Sequence, residues 1–504
     1  MSHPTTIPEL LAIGEAENLA IGAPGKPALT YGQLRETVAL GAAALAAAGL
    51  GRQDRIVIVL ANGPEAAVAF LTAASAGIAC PLNPGFTERD FRFALSDLGA
   101  SALVVEGPSP AREAARELGV PVLEVTLGAH AGDIRFSIQG AATADIAPPA
   151  APEPGDEALA LHTSGTTARP KLVPLRPANL CASARNIATS LGLTPQDRCL
   201  NVMPLFHVHG LVAAMLSTLS VGAAIWCAPG FNGLKFFGWL GEAKATWMTA
   251  VPTIYQAILG RADRNGDAIT AHPFRFLRSS SAAMPTSVLE RLEQAFHAPV
   301  VESYGMTEAA QQICANPLPP HNRKPGTVGL PAGPEVIILD EQGSPLATGT
   351  TGEVSIRGDN VMGGYFDNPT ANAEAFSDGW LRTGDLGWLD DDGYLTLVGR
   401  AKEIINRGGE KISPAEVEDV FLRHKAVREA AVFALPHPSL GEEPAAAVVV
   451  DGDASTDEIR EFVASQLAGF KVPRRVIVVD ELPKGPTGKV ARTLLAERLG
   501  LIDR

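Results

Sequence analysis

Thr163, Ser164, Gly165, Thr166, Thr167, Ala168, Arg169, Pro170 and Lys171 form a run of small and hydroxyl-bearing residues that ends in two cations around a proline. Such a run exposes backbone N–H groups and hydroxyl donors, a composition that can wrap a polyphosphate. A plain surface loop has the same composition, so the segment means little by itself. It is not a Walker loop, since G-x-x-x-x-G-K-[ST] does not occur in the chain; G-x-G-x-x-G, G-x-S-x-G and H-E-x-x-H are absent too. Further along, Glu302, Ser303, Tyr304, Gly305, Met306, Thr307 and Glu308 offer an aromatic plate, hydroxyls and a carboxylate. A nucleotide site needs a ring to stack on a base, a donor for phosphate and a hard oxygen ligand for Mg²⁺. Asp385, closing Trp380–Asp385, is an acceptor for sugar hydroxyls, and Arg400 arrives at the end of an apolar run from Tyr394. Lys489 sits on a Gly/Pro turn opened by Lys484. Each of these alone is more often an ordinary surface feature than a site.

Positioning such groups takes a rigid frame, and the first 150 residues read as one. Tyr31–Leu50 is Ala-rich and helical, Asp54–Ala61 holds an apolar strand, Pro64–Gly77 is helical again, and Ala102–Val105 is a short strand. This alternation predicts parallel sheet under helical cover. Pro148–Gly155 is a connector, after which the strand Ala158–His162 runs straight into the Thr163 loop. Thr286–Phe296 is amphipathic, and Pro299–Val301 reads as a strand feeding a polar turn. Around residue 330 the texture changes: Glu335–Leu339 and Glu353–Arg357, about a Gln342-Gly343 turn, predict a β-rich subdomain. The last hundred residues read as an α+β unit, with a helix opened by Ser413 as N-cap, Pro414 and Glu416, and a second capping box at Ser455–Glu458.

Composition bounds the chemistry. With 504 residues, 46% hydrophobic and 19% charged, the chain is long enough for about two or three packed units. A net charge of −14 argues against a nucleic-acid partner. The five cysteines lie far apart with no C-x-x-C pair, which suits thiols in a reducing cytoplasm. No basic-then-apolar leader opens the sequence. Cys199–Leu234 lacks charged side chains until Lys235, but Ser217, Thr218, Ser220 and Gly222 interrupt it, and about 20 predominantly apolar residues are needed to cross a bilayer. It reads as a buried strand, helix and strand rather than a membrane span.

Taken together and in order, these motifs resemble the AMP-forming adenylating superfamily of acyl-CoA synthetases, coumarate–CoA ligases and luciferase, over essentially the whole chain. The resemblance implies an α/β fold: a large N-terminal domain, 1–399, of mixed α/β sheets with a β-rich subdomain, and a small mobile α+β domain, 400–504, turning about Lys402. It implies ATP, Mg²⁺ and coenzyme A as ligands, and small-molecule substrates. Thr163, Ser164, Gly165, Thr166, Thr167 and Lys171 would hold phosphates. Tyr304 would stack on adenine opposite Ser281 and Ala282, within the stretch Glu302, Ser303, Gly305 and Met306. Thr307 would touch phosphate and Glu308 would hold the metal. Asp385 and Arg400 would bind ribose. Lys489 would reach the reacting carboxylate, and Arg407, Gly408 and Gly409 would line a thiol channel after the small domain turns. Thr166, His207, Glu308 and Lys489 are the expected catalytic set.

The stretches Leu205–Gly210, Arg278–Ala282 and Ile404–Pro414 resemble those of oxalate–CoA ligases. His207, His209, Ser280 and Ser303 are then the candidate donors for a second carboxylate. Malonate–CoA ligases share the His-x-His-Gly stretch but place an arginine where this chain has Ser303, which disfavours malonate. Oxalate–CoA ligases carry alanine where Ser303 and Gly305 stand here, and Gly305 leaves space for a larger acyl group. A carrier-protein thiol as acceptor, a binding protein that kept the fold, and an unrelated ATPase are the rivals. They are told apart by a carrier domain, by loss of Lys489 or Glu308, and by ADP as product.

Overall fold

A computed structural model of the chain describes residues 3–138, 150–163, 170–452, 454–483, 490 and 492–502. Ser164–Thr167 and Lys489 lie outside these described residues. Two large sheets dominate the first three hundred residues. The seven-stranded sheet runs in the order Ile134–Ile138, Val122–Leu127, Ala102–Val105, Arg55–Val59, Ile78–Pro81, Leu159–His162, Leu172–Leu175. Its interior pairs are parallel and its two edge pairs antiparallel. The nine-stranded sheet runs from Leu330–Pro331 through Gln311–Ala315, Val300–Met306, Phe276–Ser279, Trp247–Ala250, Arg198–Asn201, Ala224–Cys227 and Leu19–Ala23 to Lys26–Thr30. The helix Pro64–Ala76 touches both sheets and buries every residue except Glu65. A helix apolar all round has no solvent face to offer, so it becomes the shared core of two layers.

The sequence-level elements hold with small trims. The first long helix is Tyr31–Ala47, capped reciprocally by Thr30 and Gln33, and the amphipathic helix is Thr286–Phe296 as expected. The uncharged stretch is indeed strand, helix, strand: Arg198–Asn201, a π-helix His209–Leu216 continued by Ser217–Leu219, and Ala224–Cys227. Its hydroxyls bond back to the helix backbone, Ser217 to the Ala213 carbonyl and Thr218 to that of Ala214. Among the described residues no helix is long and apolar enough to cross a membrane. All five cysteines are buried free thiols.

The β-rich subdomain is present as Glu335–Leu339, Gly352–Arg357, Trp380–Leu389 and Leu395–Arg400, paired antiparallel, with the short strand Phe376–Ser377 on Trp380–Leu389. A separate five-stranded sheet follows, built on the hairpin Val427–His437/Gly441–Val450 and covered by the helices Pro414–Leu422 and Thr456–Gln466. The Ser413 cap is as expected. At Ser455 only half of the expected box forms: its hydroxyl accepts from the Glu458 N–H, but no return bond from Glu458 is made.

One expectation fails. The segment Ser303–Met306 is not a polar turn after a strand but part of the strand Val300–Met306, which turns through Thr307–Ala309 and pairs antiparallel with Gln311–Ala315. The returning strand supplies the hydrogen bonds that let small polar residues stay extended.

Candidate active site

The strand Val300–Met306 and its turn are the spine of the site, and three clusters hang from them. The first is electrostatic. Thr163 and Lys171 stitch the ends of the hydroxyl-rich loop together: the Thr163 N–H donates to the Lys171 carbonyl at 2.8 Å, and the Lys171 N–H to the Thr163 Oγ1 at 3.2 Å. The Lys171 ammonium lies 4.5 Å from the centre of the Tyr365 ring, and the Tyr365 hydroxyl donates to Glu308 Oε1 at 2.9 Å. Burial and the Glu308 charge hold the Tyr365 phenol well above its ordinary range, so it remains a donor. Glu308 is buried, and among the described residues no cation stands within ion-pair distance of it. A desolvated carboxylate with one hydroxyl partner suits Mg²⁺, which takes one or two carboxylates and completes its shell with phosphate oxygens and water.

The second cluster is Tyr304, Asp385 and Arg400. The Tyr304 hydroxyl donates to Asp385 Oδ2 at 2.5 Å, and Arg400 Nε stands 3.0 Å from Asp385 Oδ1. Burial first, then the Asp385 carboxylate, raises the Tyr304 phenol well above its usual range. Asp385 in turn raises the Arg400 pKa further. Asp385 lies in the middle of the strand Trp380–Leu389 and Arg400 at the end of Leu395–Arg400, directly opposite it in register. A carboxylate oxygen can accept more than one hydrogen bond, so the cluster has the chemistry to receive hydroxyls.

The third cluster is a buried hydrogen-bond network. His209 opens the π-helix, and Gly210 follows it because a Cβ there would stand 2.3 Å from the Pro204 carbonyl oxygen. His209 Nδ1 is 3.0 Å from Ser281 Oγ, and Nε2 is 2.7 Å from Thr249 Oγ1. Arg278, fully buried, donates to Thr249 Oγ1 (3.1 Å), Gln311 Oε1 (3.0 Å) and Gln312 Oε1 (3.2 Å). Burial alone lowers its pKa to about 10, so it stays a cation at neutral pH. Gln311 Nε2 donates to Ser280 Oγ at 3.1 Å. Ser281 has φ +73°, a left-handed conformation that a non-glycine residue holds only where its surroundings impose it.

This network changes the part of two predicted donors. The Ser280 hydroxyl donates to the Ser303 carbonyl (3.2 Å), and the Ser303 hydroxyl to the Ser279 carbonyl (3.1 Å). Each hydroxyl has one hydrogen, so both serines brace the pocket wall instead of presenting donors to an acid. Gly305 leaves no acyl space either: a Cβ on it would meet the Gln311 carbonyl oxygen at 1.4 Å, so the glycine serves the close approach of the two strands. His207 is partly exposed beside Phe206, with ring centroids 4.9 Å apart, and Ala282 is exposed.

Lys402 is exposed in the turn after Arg400. Gly408 and Gly409, at φ +61° and +97°, form the two-residue turn of the hairpin Ile405–Arg407/Glu410–Ile412, a conformation that selects glycine whatever else passes nearby. Tyr365, Thr249 and Gln311 were not singled out from sequence. The only local mark on Tyr365 is the Gly363-Gly364 pair before it.

Two family models match the chain: AMP-binding enzyme over residues 15–366, and AMP-binding enzyme C-terminal domain over 416–489. An oxalate–CoA ligase of Arabidopsis thaliana is 44% identical over 491 residues, 95% of each chain. A sulfoacetate–CoA ligase of Cupriavidus necator is 38% identical over 93% of this chain and 92% of its own. ATP-bound MatB from Rhodopseudomonas palustris superposes with a TM-score of 0.89 at 30% identity, over 98% of both chains. The Tyr304–Asp385–Arg400 cluster, drawn from three strands, and the buried Glu308 beside it, together with matches that span the chain, identify a member of the AMP-binding enzyme family, an AMP-forming acid–CoA ligase.

Proposed function

We propose that the acid is a small dianion, oxalate first, activated as its acyl-adenylate and then passed to coenzyme A. The observation that carries this reading is Arg278, a fully buried cation with no carboxylate partner among the described residues, set in a hydroxyl-rich network. A desolvated cation without a counter-ion is costly by itself, and an acid with a second negative charge supplies what it lacks. The oxalate and sulfoacetate specificities of the two relatives point the same way, since both acids are small and doubly charged. In this reading Ser281, backed by His209, and His207 at the mouth contact the acid. Gly305, closed by its partner strand, adds no room for a longer chain.

The first half-reaction brings a carboxylate oxygen against the α-phosphate, anion against anion, and releases pyrophosphate. The site must place positive charge where the two meet. Lys171 and the loop it closes hold phosphates, Tyr304 stacks on the base, and Asp385 and Arg400 fix the ribose. Glu308 would hold Mg²⁺, which supplies charge neutralisation on the phosphates. Lys489, reaching from residues 400–504, serves this step. Turning that unit about Lys402 then withdraws it and brings Arg407–Gly409 toward the thiol. AMP release from ATP, measured with and without coenzyme A, tests the reading. Oxalate-dependent AMP with matching thioester supports it, and turnover of monocarboxylates alone overturns the substrate assignment.

A further inference from the structure

Arg278 is buried where it cannot touch solvent, yet its guanidinium constrains every hydrogen in the network around it. A guanidinium only donates. Thr249 Oγ1 accepts from Arg278 Nη1 at 3.1 Å and lies 2.7 Å from His209 Nε2. Thr249 is fully buried, and among the described residues these two contacts are its hydroxyl's partners. If His209 carried its proton on Nε2, Thr249 would accept twice and its own hydrogen would be stranded in the core, an arrangement that buried polar groups avoid. Thr249 must therefore donate to Nε2. Neutral His209 then carries its hydrogen on Nδ1 and donates to Ser281 Oγ, 3.0 Å away. With its oxygen so engaged, the Ser281 hydroxyl has its hydrogen left to give.

We propose that Arg278 and Thr249 are positioning residues that lock His209 as the Nδ1–H tautomer and so turn Ser281 into an obligate hydrogen-bond donor for an oxygen of the anionic acid substrate. The relay runs one way, from guanidinium to Thr249, His209, Ser281 and acid. Its second arm, from Arg278 through Gln311 to Ser280, ends on the Ser303 carbonyl and holds the pocket wall. The left-handed backbone at Ser281 aims the hydroxyl that the relay has oriented. That Ser281 meets the acid rests on the dianion reading above; the tautomer does not.

The test uses the full-length enzyme with ¹⁵N-labelled histidine and NMR that reports which ring nitrogen bears hydrogen, His209 being assigned by its loss in His209→Gln. Wild type is expected to show Nδ1–H. Thr249→Val keeps the shape but removes the hydroxyl; it should lose that tautomer preference and raise the KM for oxalate roughly tenfold or more, with the KM for ATP and kcat little changed. Arg278→Lys should retain much of both properties and Arg278→Met neither. Nδ1–H persisting in folded Thr249→Val, or an unchanged oxalate KM, overturns the relay, and Thr249→Val decides this even if the Arg278 variants do not fold. A wild type that shows the tautomer but turns over no dianionic acid overturns the substrate reading instead.

Discussion

Glu302 is a buried carboxyl whose pKa burial raises to about 8, opposed only by the Gly326 N–H donating to it. In the unfolded chain it ionises near the ordinary 4.5. Between those values the native state holds a proton that the unfolded chain has lost, so this group's contribution to stability is full below pH 4.5 and fades as pH rises to about 8. Glu302→Gln should therefore be more stable than wild type at pH 8 by up to about a few kcal/mol, and so melt at a higher temperature, the gap narrowing toward pH 5, as thermal unfolding at both pH values would show. Glu308→Gln should lower AMP formation by roughly two to three orders of magnitude while ATP-free stability holds, measured by AMP release. Tyr304, Asp385, Arg400, Lys171 and Glu308 were legible in the sequence as candidates, because they stand in motifs that resemble the family's. Tyr365 and Thr249 were not, because their partners lie on other strands and loops, and no local pattern records a hydrogen bond across the fold.

Elements decide whether those groups stay where they are needed. The helix Pro414–Leu422 starts at Ser413, whose hydroxyl accepts from the Glu416 N–H and also donates to the Val398 carbonyl at 2.5 Å. Ser413→Ala should cost about 1 kcal/mol or more in urea unfolding of the C-terminal unit. Gly210→Ala drives a methyl into the Pro204 carbonyl and should displace the start of the π-helix, costing on the order of 1–3 kcal/mol and raising the acid KM with it. Capped helices and apolar parallel strands were legible because caps and periodicity are local. The π-helix was not, since a stretch buried on all sides shows no preferred period. Nor was the continuation of Val300–Met306 through Ser303, because the pairing that keeps it extended comes from Gln311–Ala315.

At the scale of the whole molecule, Arg492 ties the helix Pro414–Leu422 to the turn that follows Arg400. Arg492 bonds bidentately to Glu418, at 2.9 and 2.7 Å, and reaches Glu403 at 3.1 Å, just beyond Arg400. Glu418, on the helix that Ser413 caps, thus shares one arginine with Glu403 in the turn after Arg400. Lys489→Ala should abolish adenylate formation yet leave thioester formation from added acyl-adenylate largely intact, and Arg492→Ala should shift the same ratio in the same direction by a smaller factor, read by the two half-reactions run separately. The two-part architecture was legible in the texture of the sequence. The arginine link was not, because it joins residues far apart in the chain.

The central claim is AMP-forming ligation of a small dianionic acid to coenzyme A, and the most direct measurement is AMP and thioester formed from ATP, Mg²⁺ and coenzyme A. It should be run on the purified enzyme across oxalate, sulfoacetate, malonate, acetate, a medium-chain fatty acid and coumarate. Equal AMP and thioester, strongest with oxalate and weak with acetate, is the predicted result. Robust turnover of acetate, the fatty acid or coumarate with none of oxalate or sulfoacetate, or ADP in place of AMP, would contradict it.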